Sequence, residues 1–115
     1  MRVRFNVWIE DEKGDAILTL WRIRLLEAVR ETGSINAAAQ KMGVQFRTAW
    51  NKIHEMEEGL GTKLVESQTG GAGGGGTTLT PEAETLVERF HRLTEGLPEL
   101  LEERFKTLFE HENAR

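Results

Sequence analysis

"SINAAAQKMGVQFRTAWNKIHEMEEGLG", Ser34 to Gly61, reads as two helices around one glycine. Ser34 can cap the amides of the first helix, and Ala37, Ala38 and Ala39 leave that helix thin and closely packable. Gly43 takes a left-handed turn without steric cost. In the second helix Ala49, Ile53 and Met56, with Trp50 beside them, form the apolar side, and Gly59 or Gly61 ends it. Two short helices joined by a tight glycine turn make a helix-turn-helix.

Upstream, "VRFNVWIED" alternates Val3, Phe5, Val7 and Ile9 against Arg2, Arg4, Asn6 and Trp8. A period of two predicts one strand with a buried face, closed by the turn-prone "DEKGD". Trp8 falls on the polar face, so another element is expected to cover it. "ILTLWRIRLLEAVRETG" then predicts a helix, with Leu18, Trp21, Leu25 and Val29 at helical spacing and Gly33 just past its end.

Downstream, six of the seven residues from Gly70 to Gly76 are glycine. A phosphate-cradling loop, a linker or a hairpin tip would each use such a run. A P-loop needs GxxxxGK[ST], whereas these glycines run into Thr77 and Thr78 with no lysine and open onto a strand. Leu64 and Val65 before the run and Leu79 after it predict two short paired strands, which argues against a linker between domains. Thr80-Pro81-Glu82 starts a further helix, capped by Thr80 with proline in its first position. Ala83, Leu86, Phe90, Leu93, Leu97 and Leu100 follow a 3-4-3-4 spacing, interrupted by Gly96 and Pro98. Such a seam serves either a dimer or the domain's own core.

Composition bounds what this arrangement can do. The 115 residues suffice for one domain with a modest core. Without cysteine there is no disulfide framework, thiol nucleophile or thiolate metal site. No apolar run approaches the roughly 18–20 residues that span a bilayer, and "MRVRFNVWIEDEKGD" does not read as a signal peptide. A cytoplasmic protein is expected. The net charge of −4 looks wrong for a nucleic-acid binder until it is divided along the chain. Residues 81–115 carry five bases and nine acids, the whole excess, while Ser34 to His54 holds Lys41, Arg47 and Lys52 with no acid. A local basic face, not the total, decides whether phosphates are welcome. His54, His91 and His111 stand apart without metal-ligand spacing, and the carboxylates lie on amphipathic helices. No catalytic residue, metal site or cofactor is expected.

The order strand, helix, helix-turn-helix, wing, long helix describes a winged helix with a dimerisation helix. The fold expected is mainly α with a small β-sheet. A winged helix-turn-helix domain occupies 1–80 (helix-turn-helix about 34–58, wing about 63–80), and a dimerisation helix or helix pair occupies 81–115. "LLEAVRETGSINAAAQKMGVQFRTAWNKIHEMEEGLGTKLVESQTGGAGGGGTTLTPEAETLVERF" resembles the N-terminal domain of the ModE family of molybdate-responsive transcription regulators. That domain is itself related to the DNA-binding half of LysR-type regulators. The resemblance covers about residues 17–95, and its specific pieces are "ETGSINAAAQKMG", the pair Ala49–Trp50, and "LVESQTGGAGGGGTTLTP". It implies a homodimer that sets one recognition helix per subunit in adjacent major grooves of double-stranded DNA. Full-length members continue into small β-barrel domains that bind molybdate or tungstate. No residues here match those, so a DNA-binding protein without a small-molecule ligand is expected.

The turn at Gly43–Val44 puts Gln45, Phe46, Arg47 and Thr48 in the second helix's first turn, where helix-turn-helix proteins meet base edges. Arg47 suits guanine or phosphate, Gln45 suits adenine, and Thr48 suits either a base or the backbone. One turn on, Asn51 and Lys52 should reach base edge or phosphate. Phe46 either packs or touches a thymine methyl. Ser34 either caps its helix or joins Asn36 on a phosphate. In the wing, Gln68, Thr69 and Gly71 are the DNA-contact candidates, and the absence of arginine there argues against strong minor-groove insertion. The dimer interface is expected at Leu18, Trp21, Leu25, Leu86, Phe90, Leu93, Leu97 and Leu100. The leading function is sequence-specific, nucleoid-associated transcriptional regulation. The alternatives are a winged-helix protein-interaction module, supported by the acidic balance, and the DNA-binding half of a molybdate-responsive system that senses through a separate partner.

Overall fold

A computed structural model describes residues 1–68 and 76–110. Its elements in chain order are β1 (Trp8–Glu10), β2 (Ala16–Thr19), α1 (Leu20–Thr32), α2 (Ile35–Met42), α3 (Phe46–Leu60), β3 (Val65–Gln68), β4 (Gly76–Leu79), α4 (Pro81–Thr94) and α5 (Leu97–Phe105). A π-helical turn, Lys106–Glu110, follows α5. The fold is a helix-turn-helix core with two separate antiparallel ribbons, β1–β2 and β3–β4.

The amino-terminal ribbon departs from the expected single strand. Ala16–Thr19 pairs with β1, Trp8 opposite Thr19 and Ile9 opposite Leu18, where a helix was expected to have begun. The Asp11 carboxylate accepts the amides of Lys13 (2.8 Å) and Asp15 (3.0 Å), closing a turn in which Gly14 has a φ of +92°. Leu18 is buried, so it fits a helical stripe as well as a strand, and the hydrophobic spacing misleads there. Thr19 ends the strand by accepting the Arg22 amide and capping α1. With only four residues in β2 there is no partner for Val3 to Val7, and that alternating segment forms no strand. Among the described residues no element covers Trp8. It lies exposed, its indole N–H donating to Glu10 Oε2 at 3.0 Å.

The core is assembled from Ile23, Leu25, Leu26 and Val29 of α1, Ala38 and Ala39 of α2, Ala49, Ile53 and Met56 of α3, Leu64, and Ala83, Val87 and Phe90 of α4. Each buried large aliphatic side chain contributes about 1.5–3 kcal/mol of transfer free energy. Ser34 Oγ accepts the Ala37 amide at 2.9 Å, so it serves as the cap of α2. Gly43 (φ +73°) turns the chain into α3, and Gly61, not Gly59, ends α3 in the left-handed region. Trp50 is a correction: it does not join the apolar side of α3 but stands 41 % exposed.

The wing is fixed at its base by polar contacts. Glu57 Oε2 of α3 accepts the amides of Leu64 (2.8 Å) and Val65 (3.3 Å). The Thr80 hydroxyl donates to the Lys63 carbonyl at 2.8 Å and accepts the Ala83 amide, so one buried group ties β3 to the start of α4. On β4, the Thr77 amide donates to the Gly33 carbonyl at 2.7 Å. A Cβ on Gly76 would lie 2.9 Å from that same oxygen, so this glycine permits the close approach of wing and α1.

The carboxy-terminal stripe divides in two. Ala83 and Phe90 are buried in the subunit's own core, and Leu86 packs against it. After Gly96 (φ +76°) breaks the helix, α5 buries no residue. Leu93, Leu97 and Leu100 are 54 %, 37 % and 42 % exposed. Leu18, Leu25 and Phe90, expected at a dimer interface, lie inside the subunit and offer a partner no surface. Trp21 is half-buried against the core. Among the described residues, no helix is long and apolar enough to cross a membrane.

Candidate nucleic-acid interface

The first turn of α3 is the exposed end of the helix-turn-helix. Gly43 and Val44 bond back to α2 (Val44 N–H to the Ala39 carbonyl, 2.9 Å), which sets the angle at which α3 leaves the turn. Gln45 occupies the cap position in extended conformation, but no side chain caps the helix, and its first turn holds no acid. The leading amides of α3 and the positive end of its dipole are thus open to an anion. Gln45, Phe46 and Arg47 are exposed there, and Thr48 is half-buried.

Of the three bases between Ser34 and His54, two are engaged. Lys41 forms an ion pair with Glu31 of α1, and hydrogen bonding from this lysine, with its charge, holds the Glu31 carboxyl below the usual value. Lys52 Nζ lies 3.9 Å from Glu55 Oε1, an oxygen that also accepts from Arg22 at 3.0 Å. Arg47 has no hydrogen bond or ion pair to its side chain among the described residues. A guanidinium with five unused donors at an open helix end suits a phosphate or a guanine edge. Asn51 is exposed one turn on, also without a side-chain partner.

The remaining candidates are placed unevenly. Ser34 is committed to its cap. Gln68 is exposed on β3, its amide donating across the ribbon to Thr78 Oγ1 at 3.3 Å. Thr69 and Gly71 lie outside the described residues. Among the described residues, no cluster of histidine, aspartate and glutamate could hold a metal ion.

Arg22, Glu57 and His54, none of them a DNA-contact candidate in the sequence, position this surface. Arg22, nearly buried, donates to the carbonyls of Ala16 (3.3 Å) and Ile17 (3.0 Å) and to Glu55, fastening the amino-terminal ribbon to α3. Glu57 fastens α3 to the wing. His54 stacks on Trp50, ring centroids 3.6 Å apart, and its Nδ1–H donates to the Trp50 carbonyl at 2.8 Å. That bond fixes the tautomer and turns Nε2 toward Glu57 Oε1, 3.8 Å away. A local signal existed for the last pair: Trp50 and His54 stand four apart on one helix, the spacing that brings side chains together. No helical or strand period announces the others, because their partners lie in the next element or, for Arg22 and Glu55, 33 positions away.

Two concavities border the helix. Phe46, Arg47 and Trp50 line a hollow on its outer side. A polar cleft between α3 and β3 is lined by Trp50, His54, Lys63, Ser67 and Gln68, among others.

Comparison with known proteins places this geometry. Residues 20–84 match the family model described as "Bacterial regulatory helix-turn-helix protein, lysR family". The chain is 35 % identical over 97 residues to the molybdenum-pterin-binding protein MopB of Rhodobacter capsulatus, covering 84 % of this chain and 36 % of MopB. It is 40 % identical over 72 residues to the transcriptional regulator ModE of Haemophilus influenzae, covering 63 % of this chain and 28 % of ModE. It therefore spans only about a third of the length of these relatives. Among solved structures, the BenM_DBD/benA site 1 DNA complex superposes with a TM-score of 0.56 at 25 % identity, covering 73 % of this chain and 89 % of that one. The matched residues run from the first turn of α1 through the helix-turn-helix and wing into α4, and by that match the chain belongs to the lysR family of bacterial regulatory helix-turn-helix proteins.

Proposed function

We propose that this chain binds double-stranded DNA sequence-specifically, as a homodimer, and regulates transcription in the cytoplasm, without catalysis. The carrying observation is the first turn of α3: uncapped, free of acids, and bearing exposed Gln45 and Arg47 beside a wing anchored to the same helix. The exposed leucines of α4 and α5, Leu93, Leu97 and Leu100, are apolar surface of the kind that a second copy covers. Selection of duplexes from a random library, followed by titration of the enriched sequence against a scrambled one, tests the reading. Preference for the enriched duplex by at least tenfold is expected, and equal weak binding of both would overturn it.

A second reading concerns the signal. The names of MopB, of MopA and of one ModE relative refer to molybdenum, which supports the DNA-binding part of a molybdenum-linked system that senses through a separate partner. Molybdate is then expected to leave the melting temperature of this chain unchanged. A saturating shift, about 1.4 kcal/mol at ten times the dissociation constant, would refute that assignment.

A further inference from the structure

The hollow on the recognition helix has the chemistry of a methyl-group receptor. Phe46, Trp50 and His54 form a row with i, i+4 spacing along α3, so the indole stands between the phenyl ring and the imidazole. His54 covers one face of the indole, and the Nδ1–H bond to the Trp50 carbonyl holds the imidazole in place. Phe46 and Trp50 are nonetheless 48 % and 41 % exposed, and with Arg47 they line the hollow beside the open helix end. Two large aromatic side chains facing solvent next to a guanidinium without an acidic partner are poorly suited to water. They are well suited to a surface that offers an apolar group beside a hydrogen-bond acceptor.

The major-groove edge of duplex DNA offers that combination: a thymine carries the 5-methyl group, and a neighbouring guanine carries the N7 and O6 acceptors. We propose that Phe46 and Trp50 together receive the 5-methyl group of one thymine per half-site while Arg47 engages the adjoining base. Trp50 thereby becomes a specificity-determining residue in its own right. The inference rests on the DNA-binding reading above and adds to it the base that the aromatic pair selects.

Deoxyuridine isolates the methyl group, because it pairs like thymine and presents the same hydrogen-bonding edge. The duplex enriched from a random library by the 115-residue chain is resynthesised with each thymine, on either strand, replaced singly by deoxyuridine. Loss of one buried methyl contact is expected to weaken wild-type binding about three- to fivefold at one position per half-site, and to leave the other positions unchanged. Trp50→Ala and Phe46→Ala should bind the thymine duplex more weakly and should not distinguish it from the deoxyuridine duplex at that position. Both side chains are exposed, and the melting temperature of each variant verifies its fold. The wild-type scan needs no variant at all. Wild-type protein that prefers its enriched duplex yet is indifferent to every deoxyuridine, or an enriched half-site without thymine, overturns the inference alone. A sensitive position whose effect persists in both variants also overturns it, because the methyl is then read elsewhere. If no duplex is enriched, the DNA-binding reading itself falls.

Discussion

Gly59 and Gly76 should respond to alanine with opposite signs, although neither sits at positive φ. In Gly76→Ala the new methyl would lie 2.9 Å from the Gly33 carbonyl oxygen, a backbone atom at the end of α1. Ordinary C···O contacts begin at about 3.3–3.6 Å, so β4 must retreat by roughly half an ångström. The same oxygen accepts the Thr77 amide at 2.7 Å, and the retreat stretches this bond to the limit of useful length. Overpacking a tight contact of this kind costs about 1–3 kcal/mol. Alanine restricts the unfolded chain and returns about 0.4–1 kcal/mol. The net expectation is a loss of about 1–2 kcal/mol, or roughly 4–8 °C in melting temperature for a domain of this size. In Gly59→Ala the methyl meets Cγ1 and Cγ2 of Ile17 at 3.5 Å, an ordinary contact, inside α3. Removing a helix-interior glycine there should stabilise by about 0.5–1 kcal/mol. Thermal and urea denaturation followed by circular dichroism read both values. A Gly76→Ala protein as stable as wild type would refute the close docking of wing on α1, and a destabilised Gly59→Ala would refute the packing of Ile17 on α3.

Arg47→Ala should flatten preference at one base pair per half-site, at a cost of about 1–3 kcal/mol, whereas Lys52→Ala should weaken all sequences alike and lower the salt slope by about one per contact. Titrations against single-base operator variants at several salt concentrations separate the two, and a uniform loss in Arg47→Ala would make it a phosphate clamp. The double variant Leu93→Glu with Leu97→Glu should sediment as a folded monomer, since both leucines lie outside the core; a wild-type chain that is itself monomeric at micromolar concentration would refute the dimer surface. Glu31, its carboxyl depressed by Lys41, should titrate below the ordinary 4.5. The stabilisation from this pair is complete above that value and is lost as pH falls through the lower folded value. Carbon-detected NMR titration follows the carboxyl directly. Lys41→Ala should return its midpoint to the ordinary range, and a wild-type midpoint at or above 4.5 would contradict the pair.

The first turn of α3 was legible because its determinants are local. Gly43 sets the turn, and Gln45, Phe46 and Arg47 follow it exposed at the start of α3. The uneven charge was legible too, but not its pairing. Lys41 finds Glu31 across the α1–α2 turn, Lys52 shares Glu55 with Arg22, and only then does Arg47 stand out as the unengaged base. The outward position of Trp50 is not legible in the sequence, because its spacing relative to Ala49 and Ile53 admits either side of the helix boundary. Burial of Ile53 and Met56 in the core fixes the rotation of α3 and leaves the indole outside.

Local chemistry in the sequence determined the caps at Ser34 and Thr80, the left-handed stops at Gly33 and Gly43, the two wing strands, and the start of α4 at Pro81. Each depends on a few adjacent residues whose conformational preferences exceed thermal energy by themselves. The tertiary structure decided the rest. Ala16–Thr19 became a strand because β1 folds back beside it, and the stripe from Ala83 to Leu100 was divided between core and surface by the contact of α4 with α1. Gly76 turned out to be required by a carbonyl 43 positions away. A hydrophobic period says that a face will be buried, and a glycine that a side chain is unwelcome. Which partner covers the face or crowds the glycine is settled by long-range packing, because apolar burial has no direction of its own until the other elements are in place.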